Sequence, residues 1–182
     1  MFGQTRTRLP MPDIDIRPWS SDVPVSGITE LLHLAYAPLA GMGFRYLATH
    51  QDDSITFQRL SAGWAFLAYV ADTLAGTISL RGADSANDCA WYRNPEVFTF
   101  GQFGVLPEYQ ACGIGRALLE HVESKAVSEG ALELALDTAE GASHLIRWYQ
   151  KLGYRQVDLV SWHDTNYRSV VLSKTLPLHI AP

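Results

Sequence analysis

Residues 103–123, FGVLPEYQACGIGRALLEHVE, place a strand-like run, a proline, a loop with two glycines and an amphipathic segment in direct succession. Pro107 cannot donate a ladder hydrogen bond, so it ends the strand. The last part has apolar residues at near-helical spacing, which predicts a helix that continues until Gly130. The first N–H groups of a helix have no internal partner, and the helix dipole is positive there. This junction therefore predicts a site for a phosphate compound.

Two common phosphate-binding loops are excluded because each lacks a required residue here. A P-loop needs a lysine followed by serine or threonine after its second glycine, whereas this loop continues with Arg116 and Ala117. A dinucleotide-binding fingerprint needs a third glycine at the position that Leu118 occupies here. The strand before that fingerprint also opens a βαβ unit, whereas the strand here lies late in the chain. The remaining pattern is Q-x-x-G-x-G, read as QACGIG after V-x-P.

Composition favours one globular domain with a small-molecule partner. The chain has 182 residues, of which 47% are hydrophobic, and this length suits a single domain, predicted over residues 13–178 after a short tail at 1–12. The net charge is −5 and the basic residues are scattered, which argues against nucleic acid and anionic membranes as partners. Cys89 and Cys112 form no disulfide framework or metal-ligand spacing, and no signal peptide or membrane span is predicted. These features predict a cytoplasmic protein without a metal.

Hydrophobic periodicity and chain breakers predict the element order β, α, α, β, β, β, α, β, α, β, β, and hence a mixed α/β fold. The first helix follows capping candidates at 20–22 and ends near Pro38. A hairpin turns near Asp72, and the polar segment 84–96 is predicted as a loop. A helix with apolar residues at i, i+3, i+4 and i+7 ends at Gly153, and two final strands are separated near 164–166.

Two motifs together resemble a known family. The segment VLPEYQACGIGRALLEHVESKA, residues 105–126, strongly resembles the GNAT superfamily of acetyl-CoA-dependent N-acetyltransferases, and WYQKLGY at 148–154 fits that family's Y-x-x-x-G-[FY] motif. The resemblance extends through the element order to most of the chain. It implies a single GNAT domain with a twisted, mixed, mostly antiparallel sheet of six to seven strands and about four helices. It also implies acetyl-CoA as cosubstrate and allows for a homodimer.

The resemblance assigns cofactor contacts to three segments. Loop amides would hold the pyrophosphate of coenzyme A, strand backbone would pair with the pantetheine arm, and an N–H of that strand would face the thioester carbonyl. Cys112 is interpreted as a tolerated small residue rather than a nucleophile. Many relatives carry an asparagine at the position of Ala142; Ser143 beside it could replace that asparagine or cap the helix, and the cap is favoured. The predicted cofactor-binding residues are Phe103, Gly104, Val105, Gln110, Ala111, Cys112, Gly113, Ile114, Gly115, Arg116 and Ser143.

Tyr149 is the one predicted catalytic side chain. It matches a family tyrosine near the sulfur, and a phenol with a pKa of about 10 can protonate a thiolate whose thiol has a pKa of about 8.5. The alternative is a half-buried aromatic residue of the core. Relatives often place a carboxylate base on the fourth strand, but Thr99 occupies one common position here. The remaining base candidates are Glu96, Glu108, Asp137 and His163, and none is assigned.

The acceptor pocket is predicted between the first two helices and the loop that joins the last strands. Predicted acceptor contacts are Tyr36, Phe44 and Trp162, in segments that also contain Met42, Arg45, Tyr46 and His163. The predicted function is acetyl transfer from acetyl-CoA to a primary amine of a small molecule or peptide, by direct attack in a ternary complex. Two alternatives stay open: a non-catalytic acyl-CoA binding or sensor module, and an O-acyltransferase.

Overall fold

The computed structural model describes residues 13–177, and these form the predicted element order. The predicted tail at 1–12 and residue 178 lie outside the described residues. The strands are Ile14–Pro18 (β1), Trp64–Val70 (β2), Thr73–Arg81 (β3), Val97–Val105 (β4), Glu133–Ala139 (β5), Arg155–Ser161 (β6) and Arg168–Thr175 (β7). The α-helices are Val25–Gly41 (α1), Asp53–Ser61 (α2), Ile114–Ser128 (α3) and Ser143–Lys151 (α4).

The strands form one seven-stranded sheet in the order β1-β2-β3-β4-β5-β7-β6. Among the described residues, β4 and β5 are the one parallel pair, and all other neighbours are antiparallel. The predicted mixed, mostly antiparallel sheet with about four helices is thus confirmed.

Helices cover both faces of the sheet, and β2 shows why. Its side chains alternate between the faces: Ala65 and Leu67 belong to a buried cluster with α1 and α2, whereas Phe66 and Ala68 belong to a cluster with α3. The first cluster includes Ile28, Leu32 and Leu60, and the second includes Ile114, Leu118, Val122 and Tyr149. Because β2 is apolar on both faces, it requires a helical layer on each side.

The sheet opens in its centre, between β4 and β5. Their parallel pairing runs only from Val97↔Glu133 to Thr99↔Ala135, although both strands continue. Just beyond this point β4 contains a bulge, where the register with β3 shifts and Gln102 has a φ of 47°. The two strands therefore diverge, and backbone groups on their facing edges are left without a strand partner.

Two local predictions, both on the first helix, were wrong. Helix α1 continues past Pro38 to Gly41, because a proline in the last turn removes only one helical hydrogen bond and the following turn closes with Met42 N–H donating to the Pro38 carbonyl. Its N-cap residue is Pro24, and no side chain caps it. The segment 84–96 is a connection without an α-helix or strand, as predicted, but it contains the 3₁₀ helix Trp91–Arg93, and Tyr92 is buried.

Candidate active site

A cleft of about 1300 Å³ opens where β4 and β5 diverge. One half is lined by the end of β4, the loop before α3 and the inner face of α4. The other half is lined by α1, α2, the end of β3, β5 and the connection between β6 and β7. The cleft therefore spans both the predicted cofactor region and the predicted acceptor region, which share the gap in the sheet.

The loop before α3 presents a row of free backbone donors. In the described part of the chain, the N–H groups of residues 111–116 donate no hydrogen bond, and the first helical bond of α3 is from Ala117 N–H to the Gly113 carbonyl. Ala111 and Gly113 have positive φ values of 60° and 87°, which turn successive N–H groups toward one side. Gln110 fixes the start of the loop, because its Nε2 donates to the Val105 carbonyl at 3.1 Å. Such a concave row of donors at a helix N-terminus fits a pyrophosphate.

The end of β4 presents further donors toward the gap. The N–H of Leu106 donates to the Ala75 carbonyl of β3, so by alternation along the strand the N–H groups of Val105 and Phe103 face the opposite edge. Between them, Gly104 permits close contact with α1, since a Cβ there would lie 3.0 Å from Ala35 Cβ. This edge fits an extended pantetheine arm that pairs with backbone groups.

Tyr149 projects from α4 into the cleft between these two regions. The residue is 7% exposed, and within residues 13–177 its hydroxyl has no hydrogen-bond partner. Burial raises the pKa of Tyr149 well above its ordinary value, and the neighbouring Tyr36, Tyr46 and Asp137 raise it further. The hydroxyl is therefore protonated at neutral pH and remains free to donate.

A polar network behind Tyr149 supports its ring. The rings of Tyr149 and Tyr154 have centroids 5.7 Å apart. Tyr154 donates its hydroxyl hydrogen to Glu123 at 3.0 Å, and the Lys174 ammonium donates to both oxygens of the same carboxylate at 2.8 Å. Glu123 thus links α3, the turn after α4 and β7 beneath the catalytic candidate.

Asp137 is the half-buried carboxylate of the cleft. It lies on β5 just past the point of divergence, and each of its oxygens accepts one hydrogen bond: Oδ1 from the Tyr92 hydroxyl at 3.3 Å and Oδ2 from Trp162 Nε1 at 2.9 Å. The two aromatic rings are stacked, with 6.4 Å between centroids. Each oxygen keeps a lone pair for a further donor. Asp84 and Asp164 also line the cleft, but both are exposed.

Aromatic residues form the wall opposite the cofactor loop. Tyr36 of α1, Tyr46 and Tyr167 line the cleft, and Tyr46 is held by the β5 backbone, because its hydroxyl accepts from Ala139 N–H at 2.9 Å. Burial raises the pKa of all three phenols. Phe44 packs behind this wall against Gly141, where a Cβ would lie 2.6 Å from the ring.

The structure brings most of the predicted site residues to one cleft. Those that line it are Phe103, Gly104, Val105, Gln110, Ala111, Gly113, Gly115, Arg116, Tyr149, Tyr36 and Trp162. Four others do not: Ile114 is buried in the core, Cys112 is a residue of the loop outside the lining, Phe44 lies behind the aromatic wall, and Ser143 is exposed on α4. The prediction that Ser143 caps α4 is wrong, because Ala142 is the N-cap residue and no side chain caps the helix.

The structure also shows which base candidates line the cleft and where the cation of the loop lies. Asp137 lines the cleft, as does Thr99, whereas Glu96, Glu108 and His163 are exposed outside the lining. Arg116 lies at the loop, where its Nε donates to Glu120 at 2.8 Å in an exposed ion pair.

Sequence reasoning missed several residues of the acceptor half. Arg59 on α2, Arg81 at the end of β3 and Tyr92 line the cleft, but none carries a local motif. For Tyr92 the signal was the apolar triplet AWY inside the polar segment 84–96, which is unusual for an exposed loop. For the two arginines no local signal exists.

The fold and the cleft define a transferase that uses an acyl-coenzyme A. A family model described as acetyltransferase (GNAT) family matches residues 28–154, more than half of the chain, and the protein belongs to this family. The resemblance predicted from the two motifs is thereby confirmed, and with it acetyl-CoA as the cosubstrate of a family acetyltransferase.

Several solved structures share the fold. A GNAT family acetyltransferase from Elizabethkingia anophelis with acetyl-CoA bound is 21% identical, with a TM-score of 0.65 over 90% of this chain and 98% of that one. The yncA protein of Salmonella typhimurium, solved with its cofactor acetyl-CoA, is 17% identical, with a TM-score of 0.67 over 93% and 98% of the two chains. The ribosomal-protein-S18-alanine N-acetyltransferase from Escherichia coli is 17% identical, with a TM-score of 0.67 over 93% and 96%.

Two searches of the described residues were negative. In 13–177 no helix has the length and apolar character needed to cross a membrane. Within the same residues, no group of three or more histidine, cysteine, aspartate or glutamate side chains is arranged to hold a metal ion.

Proposed function

We propose that the protein transfers the acetyl group of acetyl-CoA to a primary amine of a small molecule or peptide, by direct attack in a ternary complex. The observation that carries the proposal is the juxtaposition, in one cleft, of the free N–H groups of residues 111–116 with Tyr149 and Asp137. A binding module would need the donor row alone. Tyr149 as a hydrogen-bond donor for the leaving sulfur and Asp137 as a base for the amine add two groups that suit acetyl transfer to an amine.

The donor row and β4 would position the cosubstrate. The N–H groups of residues 111–116 hold the pyrophosphate, and those of Val105 and Phe103 pair with the pantetheine arm. An N–H of the same edge then faces the thioester carbonyl and stabilises the negative charge that develops on its oxygen, an effect of about 3–4 kcal/mol in other oxyanion holes.

Asp137 would receive the amine. An alkylammonium has a pKa of about 10.4 and must lose a proton before it attacks. The Asp137 carboxylate is fixed by Tyr92 and Trp162 but keeps a free lone pair on each oxygen, so it can hold the acceptor nitrogen and take a proton from it. The ammonium loses its first proton to water before the attack; when the C–N bond forms and the C–S bond breaks, a second proton passes from nitrogen to this carboxylate and the sulfur leaves as a thiolate.

Tyr149 would stabilise that thiolate. Since burial raises the pKa of Tyr149 well above 10, its phenol is a weaker acid than a thiol with a pKa of about 8.5. Complete proton transfer from the phenol to sulfur is therefore uphill, and the main contribution of Tyr149 is a hydrogen bond to the departing sulfur. The thiolate then takes its proton from water.

An acceptor screen tests the proposal. Release of free thiol from acetyl-CoA is followed across matched panels of primary amines and alcohols, and the mass of each product is measured. We expect turnover with amines and a product heavier by one acetyl group on nitrogen. Turnover with alcohols alone would show an O-acyltransferase, and binding of acetyl-CoA without turnover on any acceptor would show a sensor module. A Cys112→Ala variant is expected to keep full activity, because the attack is direct.

We also propose a cytoplasmic location. Cys89 and Cys112 are both free thiols in the structure, which suits a reducing compartment, and acetyl-CoA is a cytoplasmic metabolite.

A further inference from the structure

Arg59 is exceptional among the basic side chains of the protein. Within residues 13–177, every other Lys or Arg side chain is either exposed or held in an ion pair, whereas Arg59 is half-buried and makes neither an ion pair nor a hydrogen bond. Its guanidinium lies in the cleft, with Nη2 3.4 Å from the point where a side chain would start at Gly101. A larger residue at 101 would fill the space beside this cation.

Arg81 lies next to it and adds a second cation. Arg81 ends β3 and pairs with Thr99, the last residue of β4 that is bonded to β5, so it lies at the point of divergence. It also lines the cleft, where it is exposed, and it has no ion pair or hydrogen bond among the described residues. Burial lowers the pKa of Arg59 and the repulsion from Arg81 lowers it further, whereas Tyr36, Asp137 and Asp164 act in the opposite direction; the Arg59 guanidinium remains charged.

A half-buried cation such as Arg59 is unfavourable without a partner, and a second cation beside it adds repulsion. Such an arrangement is stabilised when a ligand supplies the anion, and a pair of guanidinium forks suits the oxygens of a carboxylate or phosphonate. The Asp137 carboxylate lines the same half of the cleft, yet it is not within ion-pair distance of either arginine. The acceptor half thus offers a site for a cation and a separate site for an anion.

We propose that Arg59 and Arg81 form an anion subsite, and that the acceptor is a primary amine that also carries a carboxylate or phosphonate group. The inference rests on the proposed function: the amine of this zwitterion lies against Asp137 and its oxyanion against the arginine pair. The two subsites would orient the nitrogen toward the thioester and exclude amines with a second positive charge.

Matched acceptors test the anion subsite. Amino acids with chains of two, three and four carbons place the amine and the carboxylate at different separations and so sample the distance between the subsites. Each amino acid is compared with its methyl ester and with the corresponding aminophosphonate. For the wild type, kcat/KM of the best acid is expected to exceed that of its ester by about 10- to 100-fold. The phosphonate arm shows whether one or two negative charges fit better.

Variants separate the subsite from general effects. Arg59→Gln is expected to abolish the preference for the acid, mainly by raising its KM, while the kinetic constants for the ester and for acetyl-CoA stay at their wild-type values. Arg59→Lys is expected to retain part of the preference. Arg81→Gln is expected to lose part of it. Arg147→Gln is the control, because Arg147 is exposed on α4 outside the lining. Arg59→Gln is also expected to melt no lower than the wild type, since it removes an unpaired cation.

The outcomes distinguish this proposal from the proposed function. Equal rates for acid and ester in the wild type, or equal losses for both in Arg59→Gln, would overturn the subsite while the amine transfer stands. Binding of the same acids and esters to the enzyme saturated with coenzyme A is measured in parallel. If no amine is acetylated, the function fails, and the subsite is still judged by whether the acid binds more tightly than the ester.

Discussion

Trp162 Nε1 donates a 2.9 Å hydrogen bond to Oδ2 of Asp137, and this bond links the β6–β7 connection to β5. This contact holds one oxygen of the carboxylate, and Tyr92 donates to the other, Oδ1. A residue 25 positions away in sequence therefore sets the direction in which Asp137 offers its remaining lone pairs.

The first prediction tests that contact. In Trp162→Phe the aromatic packing is largely kept but the donor is lost, so the carboxylate can rotate away from the acceptor nitrogen. We expect kcat/KM for the amine to fall by about 10-fold, with the dissociation constant of acetyl-CoA unchanged. Steady-state kinetics and calorimetric binding measure the two quantities.

Trp91→Phe is the matched control for this change. Trp91 packs against the same cluster as Trp162, but its buried Nε1 has no hydrogen-bond partner among the described residues. The control removes indole volume without removing a bond. If both variants lose the same activity, the hydrogen bond to Asp137 has no role.

The second prediction concerns Asp137 itself. Asp137→Asn keeps the shape and can still accept from Trp162, but it neither holds an ammonium by charge nor takes a proton from it. We expect kcat to fall by about 100- to 10,000-fold, the usual contribution of a general base. Glu108→Gln, a carboxylate outside the cleft, should retain wild-type rates. A loss of less than about threefold in Asp137→Asn would remove Asp137 from the mechanism.

The third prediction concerns Tyr149. Tyr149→Phe removes only the hydroxyl, which has no partner in the described structure, so the fold should be as stable as the wild type. Because the hydroxyl acts on the leaving sulfur, kcat is expected to fall by about 10- to 100-fold while acetyl-CoA affinity changes little. Tyr154→Phe breaks the bond to Glu123 and is expected to lower the melting temperature more than the rate. An unchanged kcat in Tyr149→Phe would contradict its role.

The sequence predicted the cofactor half of the cleft far better than the acceptor half, and the reason is physical. The donor row, the glycines and α3 are contiguous, so the pattern QACGIG carries the geometry in local form. The acceptor half is assembled from α1, α2, β3, β5 and the β6–β7 connection. Arg59 and Arg81 are 22 positions apart on different elements, and only the tertiary fold brings them together.

The gap itself was not predictable from single strands. Both β4 and β5 have ordinary strand patterns. Their separation depends on the bulge at Gln102 and on a parallel pairing that is limited to three residue pairs. Phe44 illustrates the same limit: its position next to Tyr36 and Tyr46 indicates an aromatic cluster, but which ring faces the cleft depends on the fit of Phe44 against Gly141. The order of helices and strands follows from local sequence, whereas the direction in which a side chain points depends on the tertiary fold.

The fourth prediction concerns alkaline stability. Burial is the first cause that raises the pKa of Tyr36, Tyr149, Tyr154 and Tyr167 above their ordinary value of about 10. Above pH 10 the unfolded chain therefore binds fewer protons at these residues than the folded one, so the free energy of unfolding falls as pH rises. Below about pH 9 the tyrosines contribute almost no slope, because they are protonated in both states. Urea unfolding between pH 8 and 11.5 measures the effect, and Tyr167→Phe should make the decline shallower.

The fifth prediction uses two glycines at opposite ends of α3. Gly113 and Gly130 have nearly the same positive φ, 87° and 88°, so alanine at either position introduces the same backbone strain, about 1 kcal/mol. Only Gly113 lies in the donor row, and at Gly130 a Cβ would meet nothing within 4 Å. Gly113→Ala is therefore expected to weaken acetyl-CoA binding by at least about 10-fold, while Gly130→Ala leaves it unchanged.

Both alanine variants should lose similar stability in chemical unfolding, so the comparison isolates the loop geometry from the strain. The loss of affinity arises because relief of the strain at residue 113 turns its N–H, and that of the next residue, away from the shared side. Equal affinity for acetyl-CoA in the two variants would mean that the pyrophosphate lies elsewhere in the cleft. The donor row would then be a turn that serves only to start α3.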